Sequence, residues 1–544
     1  MVASASTSAI VAAVALMSLP GAGAAAIRDT SALARRACPD YTDYSQVPHA
    51  PYSDGPLHLP YQRPAVECRT YTSYSVEKVL SDVVSRIVDP DLAMLFTNAL
   101  PNTLDTTISW HVNDTSSTSS KRSMDRRATN ESWAGAQSFV ITGDINAEWL
   151  RDSMNQLVNY QALAKTDEAL YQLILGAINT QVEFVITSPF CEAFQPPPPS
   201  GLSPTNNTQD DTVTPSYDPS FVYECKWELD SLAAFLSLGN QFYNATGSTA
   251  FLTDRWYSAL DTVLKVLDDE AQSTFTHDDQ FVTNAYTFQR VTTLGTETLS
   301  LSGVGNPLNR NTGLIRSAFR PSDDATIYGY FIPANAMMSV QLGRTADTLA
   351  ATGGNQTLIT DLRTRSDNLR KAILDQGIFQ HPTLGEVFAY EIDGYGGRNI
   401  MDDANIPSLL SLPYLGFLDV DDPIYQNTRK MLLNSNTNPY YLTGSAFHGI
   451  GGPHDGLTNS WPMSLLVQAY TSTDDTEIMD CINLVKNSSL LGLVHESINV
   501  NNITEYTRPW FSWANSVFSE TILKVAAERP YLIFNDSTPY IVTP

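Results

Sequence analysis

Apolar residues along most of this chain recur every three to four positions, the spacing of amphipathic helices. Read in order, the helical segments fall into pairs: 150–164 with 168–186, 229–243 with 249–269, 325–346 with 357–374, 404–418 with 423–433, and 461–471 with 476–485. A last segment, 510–527, has no successor, and a first one near 75–99 has no predecessor. Joining those two closes a ring of six pairs. The pattern predicts an all-α fold, an (α/α)6 toroid in which six inner helices are shielded by six outer ones.

Some stretches interrupt the periodicity. Residues 113–132 are polar, and residues 192–220 hold four consecutive prolines from Pro196; both read as surface insertions. Residues 27–70, rich in Pro, Tyr and Ser, read as an extended arm ahead of a large domain over 71–544. Residues 1–26 contain no Lys or Arg and carry an apolar run over 9–19. They offer small-residue cleavage sites at Ala22-Gly23-Ala24 and Ala24-Ala25-Ala26. This resembles a secretory signal peptide lacking a basic start, with an uncleaved anchor as the alternative. Arg35-Arg36 adds a weak dibasic processing signal. No later stretch reads as long and apolar enough to cross a bilayer.

Charge narrows the partners. The 544 residues include 32 Lys and Arg against 58 Asp and Glu, a formal net charge of −26. Such a surface repels polyanions, so neither nucleic acid nor an anionic membrane is expected as a partner. A neutral ligand and an acidic working pH fit it. Acceptor sequons at Asn113, Asn130, Asn206, Asn244, Asn355, Asn487, Asn502 and Asn535 agree with a secreted or secretory-pathway protein. The five cysteines are an odd number; Cys38–Cys68 and Cys191–Cys225 are expected to pair, leaving Cys481. No CxxC or His/Cys cluster suggests zinc, and no cofactor is expected.

The candidate chemistry lies just ahead of the inner helices. Arg320-Pro321-Ser322-Asp323-Asp324 precedes a helical run beginning near Ile327, and Ser322 or Asp323 reads as its N-cap. Capping alone would explain one such acidic pair. The design recurs, however. Asp144, Glu148, Trp149, Arg151 and Asp152 precede or open the first inner helix; Lys226, Trp227, Glu228 and Asp230 the second. Tyr390, Glu391, Asp402 and Asp403 precede the fourth, and His448, His454, Asp455 and Trp461 the fifth. His495, Glu496, Arg508, Trp510 and, one turn in, Trp513 mark the sixth. If the inner helices run parallel, these loops meet at one mouth. Carboxylates, guanidinium groups and indoles together suit a sugar: they hydrogen-bond its hydroxyls and stack on its ring. Paired carboxyls also supply the acid and base of glycoside hydrolysis. Taken singly, each residue has a plain reading as core filling, helix cap or local ion pair.

At these residues the chain resembles glycoside hydrolase family 125. The matching segments are Thr142-Gly143-Asp144-Ile145 through Trp149-Leu150-Arg151-Asp152-Ser153, Glu228-Leu229-Asp230-Ser231, Phe319-Arg320-Pro321-Ser322-Asp323-Asp324, and Tyr328-Gly329-Tyr330. Met401-Asp402-Asp403-Ala404-Asn405, His495-Glu496-Ser497 and Thr507-Arg508-Pro509-Trp510-Phe511-Ser512-Trp513-Ala514-Asn515-Ser516 follow. The likeness covers roughly 70–530. It implies an (α/α)6 fold and a metal-independent, inverting exo-α-mannosidase acting on α-1,6-linked mannose in oligosaccharides. It implies a general acid at Asp323 or Asp324, left open between them, and a general base at Glu496. Trp149, Arg151, Asp152, Glu228, Asp230, Arg320, His454, His495, Arg508 and Trp510 are the candidates for binding the sugar. The arm and both insertions depart from compact bacterial members. Competing expectations are a calcium-dependent α-1,2-mannosidase, a glucoamylase-like toroid, or a non-catalytic carbohydrate-binding wall protein. Oligomeric state is left open.

Overall fold

The periodic segments become helices, with boundaries set by caps and prolines. The computed structural model describes residues 38–114 and 131–543. The expected signal peptide, residues 27–37 with Arg35-Arg36, and most of the 113–132 insertion with Asn130 lie outside them. The segment near 75–99 is two helices, α1 (Tyr74–Val84) and α2 (Pro90–Ala99), because Pro90 sits at the start of α2 behind the capping Asp89. Then come α3 (Leu150–Leu157, running on as a 3₁₀ turn over Val158–Lys165) and α4 (Glu168–Thr187). Next are α5 (Leu229–Thr246) with α6 (Asp254–Glu270), and α7 (Ile332–Ala351) with α8 (Gln356–Gln376). Helices α9 (Pro423–Leu432), α10 (Pro462–Tyr470), α11 (Asp475–Ser488) and α12 (Ser512–Glu528) complete the set. The inner helix α3 packs on α5, α5 on α7, α10 on α12, and α12 back on α3. The fold is the (α/α)6 toroid expected from the pairing.

The fourth inner position departs from expectation. Residues 404–418 hold only the short helix Leu412–Leu415. Pro407 lacks the N–H that a helix interior needs. In place of a helical ladder, both oxygens of Asp402 accept the Leu409 and Leu410 amides at 2.6 and 2.9 Å. Ser408 and Ser411 bond each other's amides reciprocally. Side chains thus satisfy a buried irregular segment.

Inner and outer helices begin differently. The outer helices α4, α6, α8, α9 and α11 are capped by the side chains of Asp167, Thr253, Asn355, Asp422 and Asp474. The inner helices α3, α5, α7, α10 and α12 start behind Trp149, Glu228, Phe331, Trp461 and Phe511, none of which makes a side-chain cap bond. Short strands fix these starts instead. Strands β1 (Glu148–Trp149), β2 (Ala193–Phe194) and β3 (Val222–Glu224) form one sheet ahead of α3 and α5. Strands β4 (Tyr330–Phe331), β5 (Glu391–Ile392) and β6 (Arg398–Asn399) form a second, and β7 (Asn459–Ser460), β8 (Ser497–Asn499) and β9 (Asn502–Thr507) a third. Each sheet ties together the entries to two successive inner positions.

Four further expectations are refined. Ser322 and Asp323 do not cap α7, which starts well downstream behind Phe331. The 192–220 stretch begins in the core: Glu192 and Gln195 are buried and β2 lies between them, while 201–206 are exposed. Cys191–Cys225 is a disulfide, Cys38 and Cys68 are disulfide-bonded, and Cys481 is free and buried. Helix α4 is long and apolar enough to span a membrane by length and composition, contrary to expectation. Its apolarity serves the core, since it packs between the 3₁₀ turn and α6 with most of its residues buried.

The described part of the arm, from Pro39, is anchored by charge. Arg63, 5% exposed, donates from Nε to Asp105 at 2.7 Å and from Nη1 to Glu77 at 2.9 Å. Asp105 is itself buried. Arg63→Ala leaves the buried Asp105 only Arg69, 3.5 Å away, and is expected to lower stability by about 1–3 kcal/mol in urea unfolding. A loss below about 1 kcal/mol would mean the pair does not hold the arm.

Candidate active site

Asp323 and Glu496 line one cavity of about 450 Å³, counted with its open mouth. Loops from around the ring build its walls. Asp144 and Trp149 come from ahead of α3, with Arg151 and Asp152 from its first turn. Asn405 comes from the fourth inner position, and His454 and Trp461 from ahead of α10. Arg508, Phe511 and Trp513 come from the entry to α12.

The acidic pair owes its geometry to a tight turn. The Asp323 amide donates to the Arg320 carbonyl at 2.9 Å, and the Arg320 amide to the Asp324 carbonyl at 2.9 Å. Asp323 takes φ +64°, a left-handed backbone that Asp tolerates better than most residues. The two adjacent carboxyls therefore differ in setting. Asp323 lines the cavity, its side chain 27% exposed. Asp324 is 1% exposed, and its Oδ2 accepts the His454 amide at 3.1 Å. Burial, reinforced by Asp403, pushes Asp324 up to about 6, against the pull of His454 and Arg320. Partial burial opposes ionisation of Asp323 too, but Lys226, Arg151 and His454 outweigh it and hold that carboxyl below its ordinary value.

Arg320 lies beneath this turn. It donates to Glu391 Oε1 at 2.6 Å and stacks over Tyr390 at 5.2 Å. Glu391 Oε2 in turn accepts the Ile327 and Tyr328 amides at 3.1 and 3.2 Å. Asp403 Oδ2 accepts from Ser322 Oγ at 2.9 Å and from the Tyr390 hydroxyl at 2.7 Å. Of these groups only Ser322 lines the cavity; Arg320, Tyr390, Glu391 and Asp403 fix the loop from behind.

Glu496 is held by Arg508, whose Nε donates to its Oε1 at 3.0 Å while Nη1 pairs with Asp144. Arg508 also has a left-handed backbone, φ +51°. His495 stands behind it: the ring stacks on Tyr506 at 3.8 Å, and Nδ1 bonds the Arg508 carbonyl at 3.0 Å. Burial pushes His495 down to about 4, so the ring is neutral and Nδ1–H is the donor. His495 props Arg508 and does not reach the cavity. Trp510 turns the other way, into a neighbouring cavity lined by Tyr41 and Tyr44. Its ring meets Tyr41 edge-on at 5.0 Å. Gly143 makes that packing possible: its φ is +149°, and a Cβ there would stand 3.1 Å from the indole.

Arg151 gathers the remaining candidates. The guanidinium, 2% exposed, pairs with Glu228 and lies 3.1 Å from Asp230, 3.4 Å from Asp152 and 3.9 Å from Asp323. Glu228 and Asp230 are wholly buried and form its support. Of the ten expected sugar-binding residues, Trp149, Arg151, Asp152, His454 and Arg508 line the cavity, and Glu228, Asp230, Arg320, His495 and Trp510 do not. Asp144, Asn405, Trp461, Phe511 and Trp513 line it without having been singled out as binders. All five fall within or beside the segments already quoted, so position was the available signal.

The lining matches a polyol. The indole N–H groups of Trp149, Trp461 and Trp513, Arg151 Nε and Asn405 Oδ1 are buried without a partner. Such groups require ligand or water. Donors and acceptors beside aromatic faces suit a hydroxylated ring. Among the described residues, no group of three or more His, Cys, Asp or Glu is arranged to hold a metal ion.

A helical toroid carrying carboxyl groups in a cavity lined for hydroxyls is the architecture of a glycoside hydrolase. Residues 89–523 match the family described as metal-independent alpha-mannosidase (GH125), and the chain belongs to that family. It is 51% identical over 500 residues to the meiotically up-regulated gene 157 protein of Schizosaccharomyces pombe, covering 92% of this chain and 94% of that one. A solved metal-independent α-mannosidase from Streptococcus pneumoniae, in a non-productive complex with α-1,6-mannobiose, superposes with a TM-score of 0.72 at 32% identity. That match covers 84% of this chain and all but 1% of the other, 99% being included.

Burial of carboxyls sets a pH trend in stability. Asp152 is raised to about 7, chiefly by burial, and Asp324 and Asp230 to about 6. In the unfolded chain an Asp ionises near ~3.9. Folding therefore takes up protons between those values, and this stabilisation, full below the unfolded value, is lost as pH rises through the folded one. The thermal midpoint is expected to be higher at pH 5 than at pH 8. The reverse order would contradict these buried protons.

Proposed function

We propose that the protein is an inverting exo-α-mannosidase that removes non-reducing terminal α-1,6-linked mannose from glycans in the secretory pathway or outside the cell. The observation that carries the reading is the shared cavity of Asp323 and Glu496, in a chain of the α-mannosidase family. The mannobiose held by the Streptococcus pneumoniae relative supports the linkage. Seven sequon asparagines, Asn113, Asn206, Asn244, Asn355, Asn487, Asn502 and Asn535, are exposed, which supports passage through a glycosylating compartment.

In this reading Asp323 is the general acid, since a donor must first reach the leaving oxygen and Asp324 is turned into the protein. Asp323 protonates the glycosidic oxygen. Glu496, oriented by Arg508, takes a proton from the water that attacks the anomeric carbon on the opposite face. One displacement inverts that centre. Trp149, Trp461 and Trp513 offer ring faces and N–H donors to the sugar, while Arg151 and Asp152 offer charged hydrogen bonds.

Glu496→Gln is expected to cut turnover at least ~100-fold while mannoside binding, measured by calorimetry, persists; undiminished turnover would reject Glu496 as the base. On a panel of mannobioses, cleavage of the α-1,6 isomer with β-mannose as the first product seen by NMR is expected. Preference for the α-1,2 isomer, or α-mannose first, would overturn linkage or stereochemistry. Peptide-N-glycosidase treatment of the protein from its native host should reduce its mass; an unchanged mass would count against the secretory route.

A further inference from the structure

Glu228 closes the segment ahead of α5 and is wholly buried. Its Oε2 pairs with Arg151 and accepts from Ser231 Oγ at 3.2 Å, whereas Oε1 is buried without a hydrogen-bond partner. Asp323 Oδ1 is in the same position. Both carboxyls face the same guanidinium, since Arg151 pairs with Glu228 and lies 3.9 Å from Asp323. Two ionised carboxylates present only acceptors, so these two orphaned oxygens can partner each other only if one carboxyl carries a proton.

The charges around them demand the same. Arg151 faces Glu228, Asp230, Asp152 and Asp323, four carboxyls for one guanidinium. Lys226, the next cation, is already 3.4 Å from Glu224. Like charges this close in a buried site cannot all ionise, and the proton goes to the group with least access to water. Glu228 is fully buried, whereas the Asp323 side chain is 27% exposed.

We infer that Glu228 is a positioning residue that stores the acid's proton: its Oε1–H donates to Asp323 Oδ1, and the pair shares one proton for delivery to the leaving oxygen. The inference rests on Asp323 being the general acid. Burial holds Glu228 well above the ordinary carboxyl range, in keeping with this arrangement. During cleavage the bond from the anomeric carbon to the leaving oxygen breaks. The shared proton passes from Glu228 to Asp323 and on to that oxygen, leaving both carboxyls ionised. The attacking water forms the new carbon–oxygen bond and gives one proton to Glu496. Its release to solvent, and uptake of one proton by the pair, restores the starting state.

The test compares two substrates that differ in their need for an acid: α-1,6-mannobiose, and 2,4-dinitrophenyl α-mannoside, whose leaving group departs without protonation. Gln at position 228 can still accept from Arg151 and donate an N–H to Asp323, but it holds no transferable proton. Glu228→Gln is expected to lose at least ~100-fold in kcat on mannobiose and less than ~10-fold on the dinitrophenyl mannoside. Asp323→Asn, assayed alongside, should show the same leaving-group dependence. If Asp323→Asn shows it and Glu228→Gln loses equally on both substrates, or on neither, the proton-storing role is overturned and the acid assignment stands. If Asp323→Asn shows no such dependence, the acid assignment itself falls. Unchanged circular dichroism and retained mannose binding in Glu228→Gln separate these outcomes from misfolding.

Discussion

A single buried guanidinium stands among more carboxyls than it can neutralise. Arg151 contacts Glu228 and Asp230 from α5 and its entry, Asp152 from its own helix, and Asp323 from the loop before α7. An isolated carboxylate would not survive such burial ionised, so each must find a cation, a proton or a backbone donor. Much of the surrounding structure answers that need. Arg508 sits between Glu496 and Asp144, Arg320 pairs with Glu391, and Asp402 takes two backbone amides. The inner helices add their own field, because they begin near this region without side-chain caps and direct positive dipole ends toward it. The outer helices, away from the cavity, keep conventional caps.

Two layers follow from this electrostatic problem. Asp323, Glu496, Arg151, Asp152 and three indoles line the cavity. Behind them, Glu228, Asp230, Arg320, Glu391 and His495 hold the first group in place and do not reach the ligand space. The Cys191–Cys225 disulfide joins the strands that flank this support, next to Glu192 and Lys226. Left-handed backbones at Asp323 and Arg508 fall in the first layer, where strain is tolerated because neighbouring bonds over-determine the turn.

The ring was legible because helical periodicity in the sequence becomes a helix at every inner and outer position but one. At 404–418 the apolar spacing is helical, yet Pro407 and the side-chain bonds of Asp402, Ser408 and Ser411 win locally. The three small sheets were not legible: strands of two or three residues carry no period to detect. Loop position told which segments meet, but not which way each side chain points. Trp510 and Trp513 differ by less than one helical turn, and they enter different cavities because Gly143 and Tyr41 accommodate only the former. Asp323 and Asp324 are adjacent, and a turn at φ +64° separates their settings. Backbone conformation of this kind depends on long-range partners such as Glu391 and Asp403, which local pattern does not reveal.

The account turns on one sugar ring being held between a donor and a water-activating carboxylate. A crystal structure of the Glu496→Gln variant soaked with α-1,6-mannobiose measures this directly. The account predicts the terminal ring between Asp323 and position 496, carboxyl-to-amide spacing of ~6.5–9.5 Å, and an ordered water on the side away from the leaving oxygen. A ring seated instead against Tyr41 and Trp510, or a spacing near ~5 Å with no room for water, would contradict it.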